Sequence, residues 1–71
     1  MTLWICVVGD GPADRVICDS EDLGEVINAV LEAADEVDSS FADKYFLFDN
    51  YGSQQTFFNS SGLIEWLEKN N

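Results

Sequence analysis

Between residues 23 and 37 the apolar side chains Leu23, Val26, Ile27, Val30, Leu31, Ala34 and Val37 recur in steps of three and four. That is the period of a helix with one buried stripe. The runs on either side are different in kind. They are β-branched and aromatic, with turn residues between them, so a chain of 71 residues must combine one sheet with its helices in a single domain, 1–71.

"TLWICVV" (2–8) reads as a strand with two apolar faces: Leu3, Ile5 and Val7 on one, Trp4, Cys6 and Val8 on the other. "GDGPADR" (9–15) is a turn marked by Gly9, Gly11 and Pro12, and "RVIC" (15–18) returns as a second strand. A hairpin centred on Pro12 pairs residue i with residue 24−i, which sets Cys6 opposite Cys18. They are two small buried side chains or, in the alternative, a disulfide. The stretch 21–38 reads as one amphipathic helix, with Ser20 as its expected cap and Glu21 and Asp22 in its first turn, where the dipole favours acids. "DSSFAD" (38–43) ends it.

"KYFLFDN" (44–50) and "QQTFF" (54–58) form a second hairpin around "NYGS", with Gly52 free to take a positive φ. "NSSGLIEWLEKNN" (59–71) closes with a short helix, capped by Ser60 or Ser61, with Leu63, Ile64 and Leu67 inward. The order ββαββα predicts an α+β, two-layer domain: a four-stranded antiparallel sheet with both helices on one face. Phe46, Phe48, Phe57, Phe58, Trp4, Tyr45 and Tyr51 are more aromatic surface than one small core needs. Either the second sheet face is exposed and apolar, which favours a homodimer or partner contact, or Trp66 and the loops cover it.

Charge is the most unusual property. There are 14 acids against 3 bases, Arg15, Lys44 and Lys69, and the net charge is -11. Such a chain is repelled by nucleic acid and anionic membranes and drawn to basic protein surfaces. Acidity that serves only solubility is the alternative, and a magnitude of about 2 to 8 suffices for that. No basic, apolar leader precedes the first strand, so a cytoplasmic location and reduced cysteines are expected.

On a helical wheel Glu21, Glu25, Glu32, Asp35 and Glu36 lie opposite the apolar stripe, with Asn28 between them and Asp22 at the edge. From Glu21 to Glu36 is 15 steps, about 22 Å. Like charges at Glu21–Glu25 and Glu32–Glu36 each oppose the helix by roughly 0.2–0.5 kcal/mol. Asp35, Glu36 and Asp38 crowd the end where the dipole prefers cations. A few lysines would relieve this, so their absence suggests that the negative field is itself useful. One DNA strand carries a phosphate about every 3.4 Å of axis, or six to seven over that length. The carboxylates match that density, and a groove built for phosphates could accept them.

Catalytic groups are sparse. The chain has no histidine, the commonest general base and metal ligand. Two cysteines without histidine do not make a zinc site. "GDGPADR" lacks the Lys-Ser/Thr of a phosphate-binding loop, and "DSEDLGE" lacks the alternation of a calcium loop. No enzymatic activity, metal or cofactor is expected.

By size, acidity and lack of catalytic residues, the chain resembles the small antidefence proteins of bacteriophages, including anti-CRISPR proteins and DNA mimics. The resemblance spans the whole chain and rests on no signature motif. It implies an inhibitor that binds a host nuclease or CRISPR surveillance complex in the bacterial cytoplasm and occupies its nucleic-acid path. The residues expected to meet lysines and arginines of such a target are Glu21, Glu25, Glu32, Asp35 and Glu36, with Asp22 and Asp38 at the rim and Tyr51 as an aromatic anchor. An immunity-type protein that neutralises a basic toxin, and a dimeric assembly module, are the alternatives.

Overall fold

The computed structural model describes residues 1–12 and 14–70. The chain runs β1 (Trp4–Gly9), β2 (Arg15–Ser20), α1 (Leu23–Val37), β3 (Lys44–Asp49), β4 (Gln54–Phe57) and α2 (Ser60–Asn70). The four strands make one antiparallel sheet in the order β2-β1-β3-β4, an α+β fold. The strand with two apolar faces, β1, is central, and β2 and β4 are the edges.

Alternation along the strands sends Cys6 and Val8 of β1, and Tyr45 and Leu47 of β3, to one face. There they meet Leu23, Val26, Val30 and Val37 of α1 and Leu63 and Leu67 of α2 in one buried cluster. Both helices therefore lie on that face. Val26, Val30, Leu63 and Leu67 are fully buried, and each such side chain contributes about 1.5–3 kcal/mol. Trp66 of α2 closes one side of this layer, edge-on to Trp4 with ring centroids 5.5 Å apart, and 6.4 Å from Phe57. It does not cover the second sheet face. That face carries Ile5, Val7, Phe46 and Phe48, and among the described residues no helix lies on it. Val7 and Phe46 are nevertheless buried, Ile5 and Phe48 are partly exposed, and Leu3 and Val16 are exposed at its border.

The first hairpin follows the 24−i pairing from Trp4–Ser20 through Cys6–Cys18. It then slips: Val7 faces Val16 and Val8 faces Arg15, so a bulge follows Cys6. The slip brings both Ile17 and Cys18 against the helix-side core. In the second hairpin Gly52 takes φ +91°, as the turn requires. Asp49 Oδ1 tightens that turn by accepting from the Tyr51 and Ser53 amides.

Three expectations are corrected. The cap of α1 is Asp22, whose Oδ1 accepts from the Gly24 amide at 2.9 Å. Ser20 instead ends β2, because Trp4 holds it in the sheet, and its hydroxyl accepts from the Asp22 amide and donates to Glu25. The side chain capping α2 is Asn59, whose Oδ1 accepts from the Gly62 amide and the Ser61 hydroxyl. Leu31 is 57% exposed rather than inward. It sits at the edge of the apolar arc, about 100° from Val30, where α1 has already turned out of the core.

Candidate anionic interface

The outward face of α1 carries Glu25, Glu32, Asp35 and Glu36, all exposed, with Asn28 among them. Glu21 and Asp22 are also exposed, but they precede the helix, which starts at Leu23. The helical part of the ridge therefore runs from Glu25 to Glu36, 11 steps or about 17 Å. It is shorter than the spacing from Glu21 implied, and the like-charge pair within the helix reduces to Glu32–Glu36.

The chain's few bases do little to neutralise this face. Arg15 Nη2 lies 3.8 Å from Glu36 Oε1, and Lys69 pairs with Glu65 at 3.2 Å within α2. Both pairs are solvated and each is worth about 0–1 kcal/mol. Among the described residues Glu21, Glu25, Glu32 and Asp35 form no ion pair. Glu25 accepts a hydrogen bond from the Ser20 hydroxyl at 2.7 Å, and this neutral partner leaves its charge in place. At the C-terminal end of α1, Asp14, Glu36 and Asp43 line one concave patch around Arg15. The negative field therefore continues from the helix onto that end of the sheet.

Two of the predicted contact residues serve the fold. Asp22 is the helix cap described above. Asp38 ends α1, and its carboxylate accepts from the Tyr45 hydroxyl, the Ser60 amide and the Ser60 hydroxyl. It thereby ties α1, β3 and the start of α2 together. Partial burial pushes its carboxyl up, but the hydrogen bonds from Ser60 and Tyr45 outweigh this and hold it below the usual value. Tyr45 responds in the opposite sense. Burial and the adjacent Asp38 charge push its phenol well above the usual range.

Tyr51 is 70% exposed at the tip of the β3–β4 turn. The pairing of Trp4 with both Asp49 and Ser20 puts that turn at the same end of the sheet as Glu21 and Asp22. It stands at one end of the ridge, apart from Glu32, Asp35 and Glu36. Leu31 was not among the expected contacts, yet it is the large apolar side chain exposed on α1, between Val30 and Glu32. Its place at the margin of the wheel was the available signal. Glu65 and Glu68 of α2, both exposed, add charge to the same layer.

The described residues contain no group of three or more His, Cys, Asp or Glu side chains gathered as metal ligands. No helix among them is long and apolar enough to cross a membrane. What this surface offers is a rigid row of solvated carboxylates, suited to multiple charge-assisted contacts with lysine and arginine. Comparison with protein-family models, with curated proteins and with solved structures returned no match.

Proposed function

We propose that the helix layer is an anionic docking surface that binds the basic, nucleic-acid-binding surface of a host nuclease or CRISPR surveillance complex and occupies the path of the nucleic acid. One observation carries this reading. Glu25, Glu32 and Asp35 on α1, and Glu21 just before it, are all exposed with no base paired to them among the described residues. Each costs the free protein some repulsion, and a basic groove would convert that cost into attraction. Asp22 and Asp38 are committed to caps, so the contacts fall to Glu21, Glu25, Glu32, Asp35 and Glu36. An immunity-type protein against a basic toxin would use the same surface.

The test is capture from bacterial lysate at low salt with elution by a salt step, followed by competition. The captured protein should lose nucleic-acid binding when this domain is added. Glu25→Lys with Glu32→Lys should abolish both effects, and full affinity in that double variant would refute the assignment.

The sheet face without a helix favours a second reading, a homodimer through the exposed Val16 and the partly exposed Ile5 and Phe48, around Val7 and Phe46, which are already buried by their neighbours. Four strands spaced about 4.8 Å apart and five residues long give that face roughly 300 Å². A stable interface needs about 800 Å² per partner. The sheet face alone falls well short, which is why the ridge is preferred. Sedimentation at high concentration separates the two, since a monomer there excludes the dimer.

A further inference from the structure

We propose that Cys6 and Cys18 are a redox pair that forms a reversible disulfide and staples edge strand β2 to β1. The two residues face each other directly in the antiparallel register, and both are free thiols. Residues opposite one another in such a ladder have Cα atoms about 4.5 or 5.5 Å apart, and disulfides span about 4.4–6.8 Å. Their side chains lie on the same, helix-facing side, where Cys6 is part of the core and Cys18 packs against it. Facing Cβ atoms sit about 4.5–5.5 Å apart, whereas a disulfide averages about 3.8 Å. The strands must therefore close by roughly 1 Å. Two features permit that: β2 pairs only with β1 within the sheet, and the bulge directly after Cys6 gives the ladder slack.

The oxidant is a small-molecule disulfide. Cys18 is the more accessible thiol and reacts first. Its thiolate attacks one sulfur of the reagent, the reagent's S–S bond breaks, and one small thiol leaves with the electron pair and takes up a proton. The Cys6 thiolate then attacks Cys18 Sγ and expels the second small thiol, which takes up the second proton. The protein loses two electrons and the reagent gains them. Burial pushes both thiols up, Cys6 to about 12, with the neighbouring Cys18 adding to it, and Glu25 and Asp19 adding to the effect at Cys18. The exchange is accordingly slow near neutral pH and quickens as pH rises. Once formed, the bond is shielded by the core. It closes a short loop in the unfolded chain of a domain too small for a large stability reserve.

Arg15 lies between the two cysteines, which makes the test direct. The folded, full-length protein is incubated with oxidised glutathione at about pH 8.5, where more thiolate is present. It is then denatured, blocked with an alkylating reagent, and digested with trypsin without reduction. The expected product is a monomer lighter by two hydrogens, unreactive to the alkylating reagent, with fragments 1–15 and 16–44 joined until a reductant is added. Its melting temperature rises by roughly 10 °C. The proposal fails if both thiols still alkylate, if a glutathione adduct persists on Cys18, if the bond joins two chains, or if the internal bond lowers the melting temperature.

Discussion

The phenol of Tyr45 donates to Asp38 Oδ1 at 2.9 Å, so the last residue of α1's cap is held by the first hairpin strand that follows it. The same carboxylate receives the Ser60 amide at 2.9 Å, across 22 residues of chain. One acid thus fixes where both helices meet the sheet. Asp38→Ala removes all three hydrogen bonds and leaves the part-buried Tyr45 hydroxyl without its partner. The expected loss is about 2–3 kcal/mol, read from urea midpoints. Tyr45→Phe removes one bond and should cost about 1 kcal/mol.

The Asp38 contribution depends on pH in a defined direction. The folded carboxyl titrates below its unfolded value of 3.8. Its stabilisation is therefore fully present above that value and is lost as pH falls through the lower folded one. The stability gap between the wild type and Asp38→Asn should be constant from pH 7 to 5 and shrink below pH 4. Tyr45 imposes the opposite limit. Its phenol is raised above 10.0 in the folded state, so that stabilisation holds below pH 10 and declines as pH climbs toward the folded value. A gap that widened in acid would contradict the hydrogen-bond geometry.

Reversing charges on the ridge should leave the fold nearly untouched. Glu32→Lys turns a like-charge pair with Glu36 into an attractive one, a gain of about 0.5 kcal/mol. Glu25→Lys puts a cation in the first turn and loses the Ser20 contact, a cost of about 0.5–1 kcal/mol. The double variant should therefore melt within a few degrees of the wild type while failing to bind. That combination separates lost charge from lost structure.

Salt should discriminate as well. Exposed charges are screened over about 8 Å at physiological ionic strength. Affinity for the proposed target should fall at least about tenfold between 50 and 200 mM salt, mostly through a slower on-rate. Salt-independent binding would instead point to the sheet face.

Leu31 and Leu67 make a matched pair of controls. Leu67 is fully buried, and Leu67→Ala should cost about 2–5 kcal/mol. Leu31 is 57% exposed, and Leu31→Ser should change stability by no more than about 0.5 kcal/mol. If Leu31 is an apolar contact within the acidic surface, the same substitution weakens target binding in an otherwise stable protein.

Local patterns were enough for the elements, the strand faces and the row of carboxylates. Steps of three and four make α1, alternation makes the strands, and reflection about Pro12 places Cys6 opposite Cys18, because each depends only on residues close in sequence. What depended on distant residues was not legible. Ser20 and Asp22 are both good caps, and the choice between them is made by Trp4, which keeps Ser20 in the sheet. The bulge after Cys6 lets Ile17 and Cys18 share the core face, and no hairpin count reveals it. Leu31 belongs to the apolar arc by period, but the position of α1 over the sheet decides where burial stops. Asp38 read as one more surface charge. Only the arrival of Ser60 and Tyr45 makes it a structural acid, since a carboxylate's role follows from which donors the folded chain brings to it.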